Sequence, residues 1–279
     1  MKTVNIFSSN IPYQDQGQGE VIVLVNGLGR TYSHWLGFDQ ALAKNFRVIS
    51  FDLRGVGTSM RPCTWQTSVE DMASDLIEVL DGLAIDKAHI LGVSLGGMVA
   101  MACGIKYPQR CLSLTLINSS IGTKLLGDQR ISIQALAFLS RSIFNKPEPL
   151  VHAKKLTQLV LSSDCKDEDR MRLAFDLARI ENEQATDLSQ VLKQSLAALR
   201  FRPLPKLAQM KVPTMIISGS DDRFVPQKNS QKIASFISHA TTHVIEGGGH
   251  ELTMDKAERI LELQLAWISQ LAARLEQTA

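Results

Sequence analysis

The sequence lacks most of the features that mark secreted, membrane-spanning and metal-binding proteins. It has 4 cysteines in 279 residues, and no two of them stand in the C-x-x-C spacing of a zinc site or a redox motif. No apolar run approaches the ~18 residues of a membrane span, and the N-terminus lacks the ~7–15-residue apolar core of a signal peptide. We therefore expect a cytoplasmic protein without a metal site, in which reduced cysteines behave as small apolar residues.

Neither sign of charge dominates the chain. Lys and Arg together number 30 and Asp and Glu 28, which leaves a net charge of +2 with neutral histidines. No dense tract of Lys or Arg occurs, so neither a nucleic acid nor a membrane is an expected partner. Hydrophobic residues make up 44% and charged residues 21%. This composition is typical of a globular protein, and the length allows one domain with an insertion.

Apolar, β-branched runs alternate with amphipathic stretches along most of the chain. The patterns predict strands at residues 4–7, 11–14, 20–25, 46–51, 112–117, 213–218 and 242–245. They predict helices at residues 33–44, 69–83, 227–237 and 253–275, and a further strand and helix on either side of residue 94. Such alternation is typical of an α/β fold with a mostly parallel, doubly wound sheet.

The alternation breaks at about residue 121. From there to about residue 199 the chain carries several amphipathic helical patterns and no strong strand pattern. A helical block inserted into an alternating chain predicts a cap, or lid, over the C-terminal edge of the strands. We therefore predict a core domain of residues 1–121 and 200–279 and a helical cap of residues 122–199.

The most informative stretch is Gly92-Val93-Ser94-Leu95-Gly96, which separates a predicted strand from a predicted helix. This context is that of a nucleophile elbow, a strained turn that presents its serine at the end of a strand. The N–H groups at the start of the following helix favour negative charge on a nearby oxygen. In a chain with 18 glycines the pentapeptide alone is a weak signal. Ser94 becomes a strong candidate nucleophile if an acid and then a histidine follow it.

Both an acid and a histidine follow. His250 stands on a glycine-rich loop after the last predicted strand, and it could accept the Ser94 proton and return it to the leaving group. Asp221 and Asp222 compete as the carboxylate that orients the histidine, and local sequence does not separate them. Glu246 is a weaker candidate because it lies on the same strand end as His250.

Two backbone N–H groups are predicted to form an oxyanion hole. Leu95 follows the nucleophile directly, and Leu28 stands in the glycine-rich loop after the strand at 20–25. We also expect Asn26, Gly27 and Trp35, which lie in or near this loop, to contact the substrate. A core position on its helix is the alternative for Trp35.

These motifs together resemble the α/β-hydrolase superfamily. The elbow at 92–97, the D-x-R-G-x-G-x-S loop at 52–59, the G-x-x-D-x-x-x-P acid loop at 219–226 and the Gly-His pair at 249–250 all match that pattern. The similarity is closest to the capped esterase, lactonase and carbon–carbon bond hydrolase branch. It implies Asp222, the fourth residue of the acid loop, as the acid, and it implies no metal or organic cofactor. Asn26 stands where the family usually has histidine.

The resemblance implies a serine hydrolase that cleaves small-molecule carboxylic esters through an acyl-enzyme on Ser94. Two other reactions remain open because they use the same triad of serine, acid and histidine. They are cleavage of a carbon–carbon bond in a meta-cleavage diketone and hydrolysis of an enol-lactone. An acyltransferase and a non-catalytic receptor of this fold also remain open. Ester turnover that disappears in Ser94→Ala would separate an enzyme from a receptor.

The predicted cap contains apolar residues at helical spacing, and we expect most of them in its own core and a few around an apolar acyl pocket. They are Leu136, Phe138, Leu139, Ile143, Phe144, Leu159, Leu161, Leu173 and Phe175. The cap also contains basic residues, namely Arg130, Arg141, Lys154, Lys155, Arg170 and Arg172. A solvated face is one explanation of these charges, and an acidic partner at the cap, such as an acyl carrier protein, is the alternative.

Overall fold

A sheet of 8 strands forms the centre of the fold. The computed structural model describes residues 2–6, 9–57, 59, 61–121, 131–132, 134–135, 137–138, 141, 148–184 and 186–278, with the backbone alone for 2–6, 9–10, 275 and 278. The strands β1 to β8 are Lys2–Ile6, Ser9–Gln16, Val21–Val25, Arg47–Phe51, Ala88–Val93, Cys111–Ile117, Thr214–Gly219 and Thr241–Ile245. They lie in the order β1-β2-β4-β3-β5-β6-β7-β8. The β1–β2 and β2–β4 pairs are antiparallel, and the remaining pairs are parallel.

Helices connect the parallel strands, and a group of them is inserted between β6 and β7. The helices α1 to α10 of the described chain are Phe38–Leu42, Val69–Gly82, Leu95–Lys106, Pro149–Val160, Asp167–Glu183, Leu188–Arg200, Leu204–Leu207, Lys228–Phe236, Leu252–Asp255 and Ala257–Thr278. We call α4, α5 and α6 the inserted helices. The prediction of an α/β fold with a mostly parallel, doubly wound sheet is confirmed.

The central strands are buried because helices cover both faces of the sheet. Every residue of β5 and β7 is buried, which explains their continuous apolar runs. Alternate residues of β3 point to opposite faces. Val23 and Val25 join the apolar cluster that contains α2 and α3, whereas Ile22 and Leu24 join the cluster that contains α10.

Two predicted helices are interrupted in the structure. The helix predicted at 33–44 is a 3₁₀ turn, Tyr32–Trp35, followed by α1. Leu36 and Gly37 between them adopt positive φ angles of 49° and 92°, which no α-helix allows. The helix predicted at 253–275 is split into α9 and α10 because Lys256 leaves the helical conformation, with φ −122° and ψ 26°.

The inserted helices pack against each other and against the core. Ala153 of α4 and Ala174 and Leu177 of α5 form one apolar cluster, which also contacts Leu36 and Met254 of the core. Residue 122, where the predicted cap begins, lies outside the described residues. Residue 199, where it ends, lies inside α6.

The cysteines are free thiols, and most of them are buried. They are Cys63, Cys103, Cys111 and Cys165. Burial raises the pKa of Cys63 to about 11 and the pKa of Cys111 to about 12. Burial also raises the pKa of Cys103 well above its usual range. These environments agree with the predicted role of the cysteines as small apolar residues.

Neither a membrane-spanning helix nor a metal-binding cluster occurs in the part of the chain that the structure describes. None of its helices is both long and apolar enough to cross a bilayer. No three His, Cys, Asp or Glu side chains within the same residues are grouped so that they could hold a metal ion.

Candidate active site

The loops that carry the predicted functional residues meet at one edge of the sheet. In the parallel registers, Val25 of β3 pairs with Gly92 of β5, and Ile117 of β6 pairs with Ile217 of β7. Gly219, at the end of β7, pairs with Ile245 of β8. The residues that follow each strand therefore lie side by side, at the edge where α/β folds place their ligand sites.

Ser94 occupies the turn between β5 and α3 with φ +55° and ψ −114°. Such a conformation costs a residue other than glycine ~1–3 kcal/mol and persists only when its surroundings hold it. The Ser94 N–H donates to the Ile117 carbonyl at 2.9 Å. The Ser94 carbonyl accepts from the Ser119 hydroxyl at 2.8 Å and from the Gly97 N–H at 3.0 Å. These bonds hold the strained turn of a nucleophile elbow.

His250 and Asp222 form a buried hydrogen-bonded pair. The Nδ1 atom of His250 lies 2.7 Å from Oδ2 of Asp222. The other carboxylate oxygen accepts from the backbone N–H groups of Phe224 at 2.8 Å and Val225 at 2.7 Å. The ring of Phe224 stacks on the imidazole with 4.9 Å between centroids. The structure thus brings Asp222, and not Asp221, against the histidine, and it fixes the carboxylate on both oxygens.

The electrostatic environment of His250 favours its protonated form. Burial lowers the pKa of the imidazole, but the adjacent Asp222 charge and its hydrogen bond raise that pKa, and Glu251 raises it further. Arg30 opposes this with its positive charge. The net result is a His250 pKa above the usual value for histidine. Glu251 and Arg30 themselves form an ion pair, 3.4 Å between Oε1 and Nη2.

Asn118 links the histidine loop to the end of β7, and sequence analysis missed it. Its side-chain amide donates to the carbonyls of Gly249 at 2.9 Å and His250 at 2.8 Å. Its side-chain oxygen accepts from the Gly219 N–H at 2.9 Å. The next residue, Ser119, bonds the Ser94 carbonyl. The signal in the sequence is an asparagine directly after a buried strand, because asparagine tolerates the positive φ of 47° found here.

The loop at residues 26–31, which we call the oxyanion loop, lies against the elbow. A Cβ atom placed on Gly27 would stand 3.4 Å from the Ser94 Cβ. Within the described chain, neither the Leu28 N–H nor the Leu95 N–H has a hydrogen-bond partner. Both predicted donors therefore remain available to an oxygen beside Ser94.

Three hydrogen bonds hold the oxyanion loop: one within the loop, one from the next residue to the core, and one to an inserted helix. The Asn26 amide donates to the Thr31 carbonyl at 2.8 Å. The Tyr32 N–H, just beyond the loop, donates to Oδ1 of Asp52 at 2.8 Å. The Gly29 N–H donates to Oε1 of Gln194, from helix α6, at 3.0 Å. The departure from the family pattern at Asn26 therefore supplies an internal brace to the loop.

The residues predicted to contact the substrate occupy different environments. Gly27 lies next to Ser94, whereas the Asn26 amide is already bonded within its loop. Trp35 is 1% exposed and lies 6.0 Å from Phe38 between ring centroids. This burial favours the alternative that Trp35 is a core residue, because it leaves a substrate no surface to touch.

The apolar residues of the predicted cap divide between its core, its surface and the part of the chain left undescribed. Leu161 and Leu173 belong to a buried cluster, Phe138 stacks on His152, and Phe175 is exposed. The predicted residues outside the described chain are Leu136, Leu139, Ile143 and Phe144.

The basic residues that suggested an acidic partner include one with a structural role. Arg170 donates to the carbonyls of Thr157, Ser162 and Cys165, so it holds the junction of α4 and α5. Arg130 lies outside the described residues. An acidic partner at the cap stays a prediction.

Comparison with known proteins places the chain in a family. A family model described as "alpha/beta hydrolase fold" matches residues 20–257, a range that includes Ser94, Asp222, His250 and the oxyanion loop. The chain belongs to the α/β-hydrolase fold family. The resemblance of its motifs to that superfamily is thereby confirmed, and so is the fold that the resemblance implies.

Relatives of this α/β hydrolase bear the names of different hydrolases. The 2-hydroxy-6-oxononadienedioate/2-hydroxy-6-oxononatrienedioate hydrolase of Paraburkholderia xenovorans (strain LB400) is 30% identical over 260 residues, which cover 88% of this chain and 86% of that protein. A Caulobacter sp. (strain K31) protein named carbamate hydrolase RutD is 27% identical over 259 residues, which cover 91% and 92%. The crystal structure of an enol-lactonase from Burkholderia xenovorans LB400 matches with a TM-score of 0.80 at 21% identity and covers 96% of this chain and 100% of that one. The last likeness shows the fold, and the relatives support a hydrolase.

Proposed function

We propose that this α/β hydrolase is a serine hydrolase that cleaves carboxylic esters through an acyl-enzyme on Ser94. One observation carries the proposal. The strained Ser94 turn precedes the Leu95 N–H and lies against the loop that carries the Leu28 N–H, and neither N–H has a partner among the described residues. A hydrogen-bonded His250–Asp222 pair lies at the same sheet edge. Strained serine, oriented base and free donors are the parts that acyl transfer needs.

Each residue has a defined task in this reaction. Ser94 Oγ attacks the ester carbonyl while Nε2 of His250 takes its proton. The N–H groups of Leu28 and Leu95 stabilise the oxyanion of the tetrahedral intermediate. His250 then protonates the departing alcohol, which leaves an acyl group on Ser94. Water, deprotonated by the same imidazole, releases the acid, while Asp222 keeps Nδ1 protonated and stabilises the imidazolium.

The inserted helices are proposed to form the cap over this site and to shape an apolar acyl pocket. Hydrogen bonds to the catalytic loops support this arrangement. The Val160 carbonyl, at the end of α4, accepts from the N–H groups of His250 and Glu251. The Ser162 hydroxyl accepts from the Gly249 N–H at 3.1 Å. A pocket beneath these helices suits esters with small or medium, largely apolar acyl groups.

Hydrolysis of p-nitrophenyl esters from acetate to decanoate tests the function and measures the pocket. We expect turnover that is highest for a short or medium acyl chain. A p-nitrophenyl phosphonate should release one p-nitrophenolate per chain, and mass spectrometry should find the phosphonyl group on Ser94. A folded protein that neither cleaves any of these esters nor becomes labelled would overturn the proposal.

A carbon–carbon bond hydrolase is the second candidate. It is favoured by the relative named 2-hydroxy-6-oxononadienedioate hydrolase, with 30% identity over 88% of this chain. The assay is the loss of the dienoate chromophore on incubation with that compound. Turnover of the dienoate in the absence of ester turnover would favour this candidate.

The charges of Glu251 and Arg30, beside His250, are expected to shift the acidic limb of the pH–rate profile. His250 must be neutral to accept the Ser94 proton, so kcat/KM falls below its pKa. Glu251→Gln removes a charge that raises this pKa, so the limb should move to lower pH. Arg30→Gln removes a charge that lowers it, so the limb should move to higher pH. The measurement is kcat/KM for one p-nitrophenyl ester across the acidic range.

Glu262→Gln is the control for the pH experiment. Glu262 is an exposed carboxylate paired with Arg259 on the surface of α10, so its neutralisation should leave the acidic limb in place. Shifts in the same direction in Glu251→Gln and Arg30→Gln would contradict the assignment of the limb to His250.

A further inference from the structure

The backbone of Gly29, in the oxyanion loop, is hydrogen-bonded to side chains from the segment between β6 and β7. The Gly29 N–H donates to Oε1 of Gln194 at 3.0 Å. The Gly29 carbonyl accepts from the hydroxyl of Thr186 at 3.3 Å. Both polar backbone groups of this loop residue are thus bonded to side chains from the segment between β6 and β7.

The Gly29 hydrogen bonds help to fix the direction in which the neighbouring Leu28 N–H points. The Gly27 carbonyl accepts from the Arg30 N–H at 3.3 Å. In a trans peptide the N–H points opposite to the C=O, so the Leu28 N–H points away from Arg30. The following peptide plane is fixed by the bond from Gly29 to Gln194. With both planes held, Leu28 cannot rotate its N–H unless one of these bonds breaks.

Gln194 is itself fully constrained. Its side chain is 0% exposed, and its Nε2 atom donates to the Arg54 carbonyl at 2.9 Å. Arg54 in turn is held by two hydrogen bonds of 2.6 Å to the Asp75 carboxylate. The amide oxygen offered to Gly29 is therefore fixed by the loop that follows β4, rather than free to follow a moving oxyanion loop.

The same helix contains a matched glutamine with a different partner. Gln190 stands one turn before Gln194, and its Oε1 atom accepts from the Cys63 N–H at 2.7 Å. Both glutamines join α6 to a backbone N–H of the core. Only Gln194 reaches the oxyanion loop.

We propose that Gln194 is a positioning residue for the oxyanion hole, an inference that rests on the proposed ester hydrolysis. It holds the Leu28 N–H where the developing oxyanion will form, without touching the reacting atoms. Its effect should then appear in the transition state and not in the binding of the ester. This is the pattern that separates an oxyanion-hole contribution from a general loosening of the fold.

The test compares Gln194→Met with Gln190→Met in the full chain. The readouts are kcat and KM for the preferred p-nitrophenyl ester and the Ki of an alkyl trifluoromethyl ketone. The ketone forms a charged hemiketal with the serine, so its affinity reports on the oxyanion hole. In Gln194→Met we expect kcat to fall about 10- to 100-fold, the ketone to bind more weakly by a similar factor, and KM to stay within about threefold. In Gln190→Met all three should stay within about threefold of wild type.

Equal losses of kcat in the two variants would overturn the inference. So would a Gln194→Met enzyme that is slow but binds the ketone as tightly as wild type. If Gln194→Met does not fold, Gln194→Asn and Gln190→Asn make the same comparison with an amide that is shorter by one methylene.

Failure of the proposed function looks different from failure of this inference. A wild-type protein that cleaves no ester but cleaves the dienoate overturns ester hydrolysis, and the two glutamine variants are then compared by kcat on the dienoate. Equal losses there would overturn the positioning role. A wild type that is inactive on both substrates and does not bind the ketone overturns both proposals.

Discussion

Replacement of Ser94 by alanine is expected to lower kcat for p-nitrophenyl ester hydrolysis by about 10⁴- to 10⁶-fold. The variant removes the oxygen that forms the acyl bond and leaves His250, Asp222 and the oxyanion loop in place. Alanine meets the same backbone strain as serine at φ +55°, and the bonds that hold the turn all involve backbone atoms of residue 94. The melting temperature should therefore change little. Steady-state kinetics and a thermal melt measure the two effects.

Ser50→Ala is the matched control for this variant. Ser50 is a buried serine on β4, and its hydroxyl has no hydrogen-bond partner within the described chain. Its removal should leave both kcat and stability near wild type. A Ser94→Ala enzyme that keeps more than about one tenth of wild-type kcat would rule out Ser94 as the nucleophile.

Gly96→Ala is expected to destabilise the protein by about 3 kcal/mol, at the upper end of the usual cost of an overpacked core. Helix α3 meets the end of β3 at this residue. An added Cβ would lie 2.0 Å from the Val25 carbonyl oxygen and 2.8 Å from that of Asn26. Backbone atoms cannot yield as a side chain does, so β3 and the oxyanion loop would shift. We expect a fall in kcat together with the loss in unfolding free energy, measured by urea denaturation.

Gly104→Ala in the same helix supplies the control. An added Cβ there would meet the Met210 sulfur at 2.6 Å and a Leu114 methyl group at 2.7 Å, both of which are side-chain ends that can move. Alanine also stabilises a helix by ~1 kcal/mol relative to glycine. The free energy of unfolding should then stay within about 1 kcal/mol of wild type, with kcat unchanged. Equal destabilisation in the two variants would contradict the argument from backbone contact at Gly96.

The central strands could be predicted from the sequence because their signal is local. A strand that is buried on both faces carries a run of consecutive apolar residues, as β5 does at 90–93 and β7 at 215–217. The interruption of the first helix was not predictable in the same way. Leu36 takes a left-handed conformation there, and periodicity alone offers no reason for a leucine to do so.

The residues of the candidate site likewise differ in whether a local sequence pattern reveals them. The elbow and the histidine loop were recognisable because short motifs surround Ser94 and His250. The choice of Asp222 over Asp221 needed a family resemblance, and the structure gives its contact with His250 at 2.7 Å. Gln194 could not be found, because its bond to Gly29 joins residues 165 positions apart and leaves no pattern in either segment.

The raised pKa values of the buried thiols have a practical consequence. Only a thiolate attacks a disulfide reagent, so Cys63, Cys103 and Cys111 should react only when their surroundings open transiently. They lie on different elements: Cys63 where α6 meets the core, Cys103 within α3, and Cys111 at the start of β6. Cys111 is near enough to Cys103 to contribute to its raised pKa. The labelling rate of each thiol in the native state would report how often its surroundings open transiently. The protein thus carries three natural reporters of local opening and needs no engineered label to follow it.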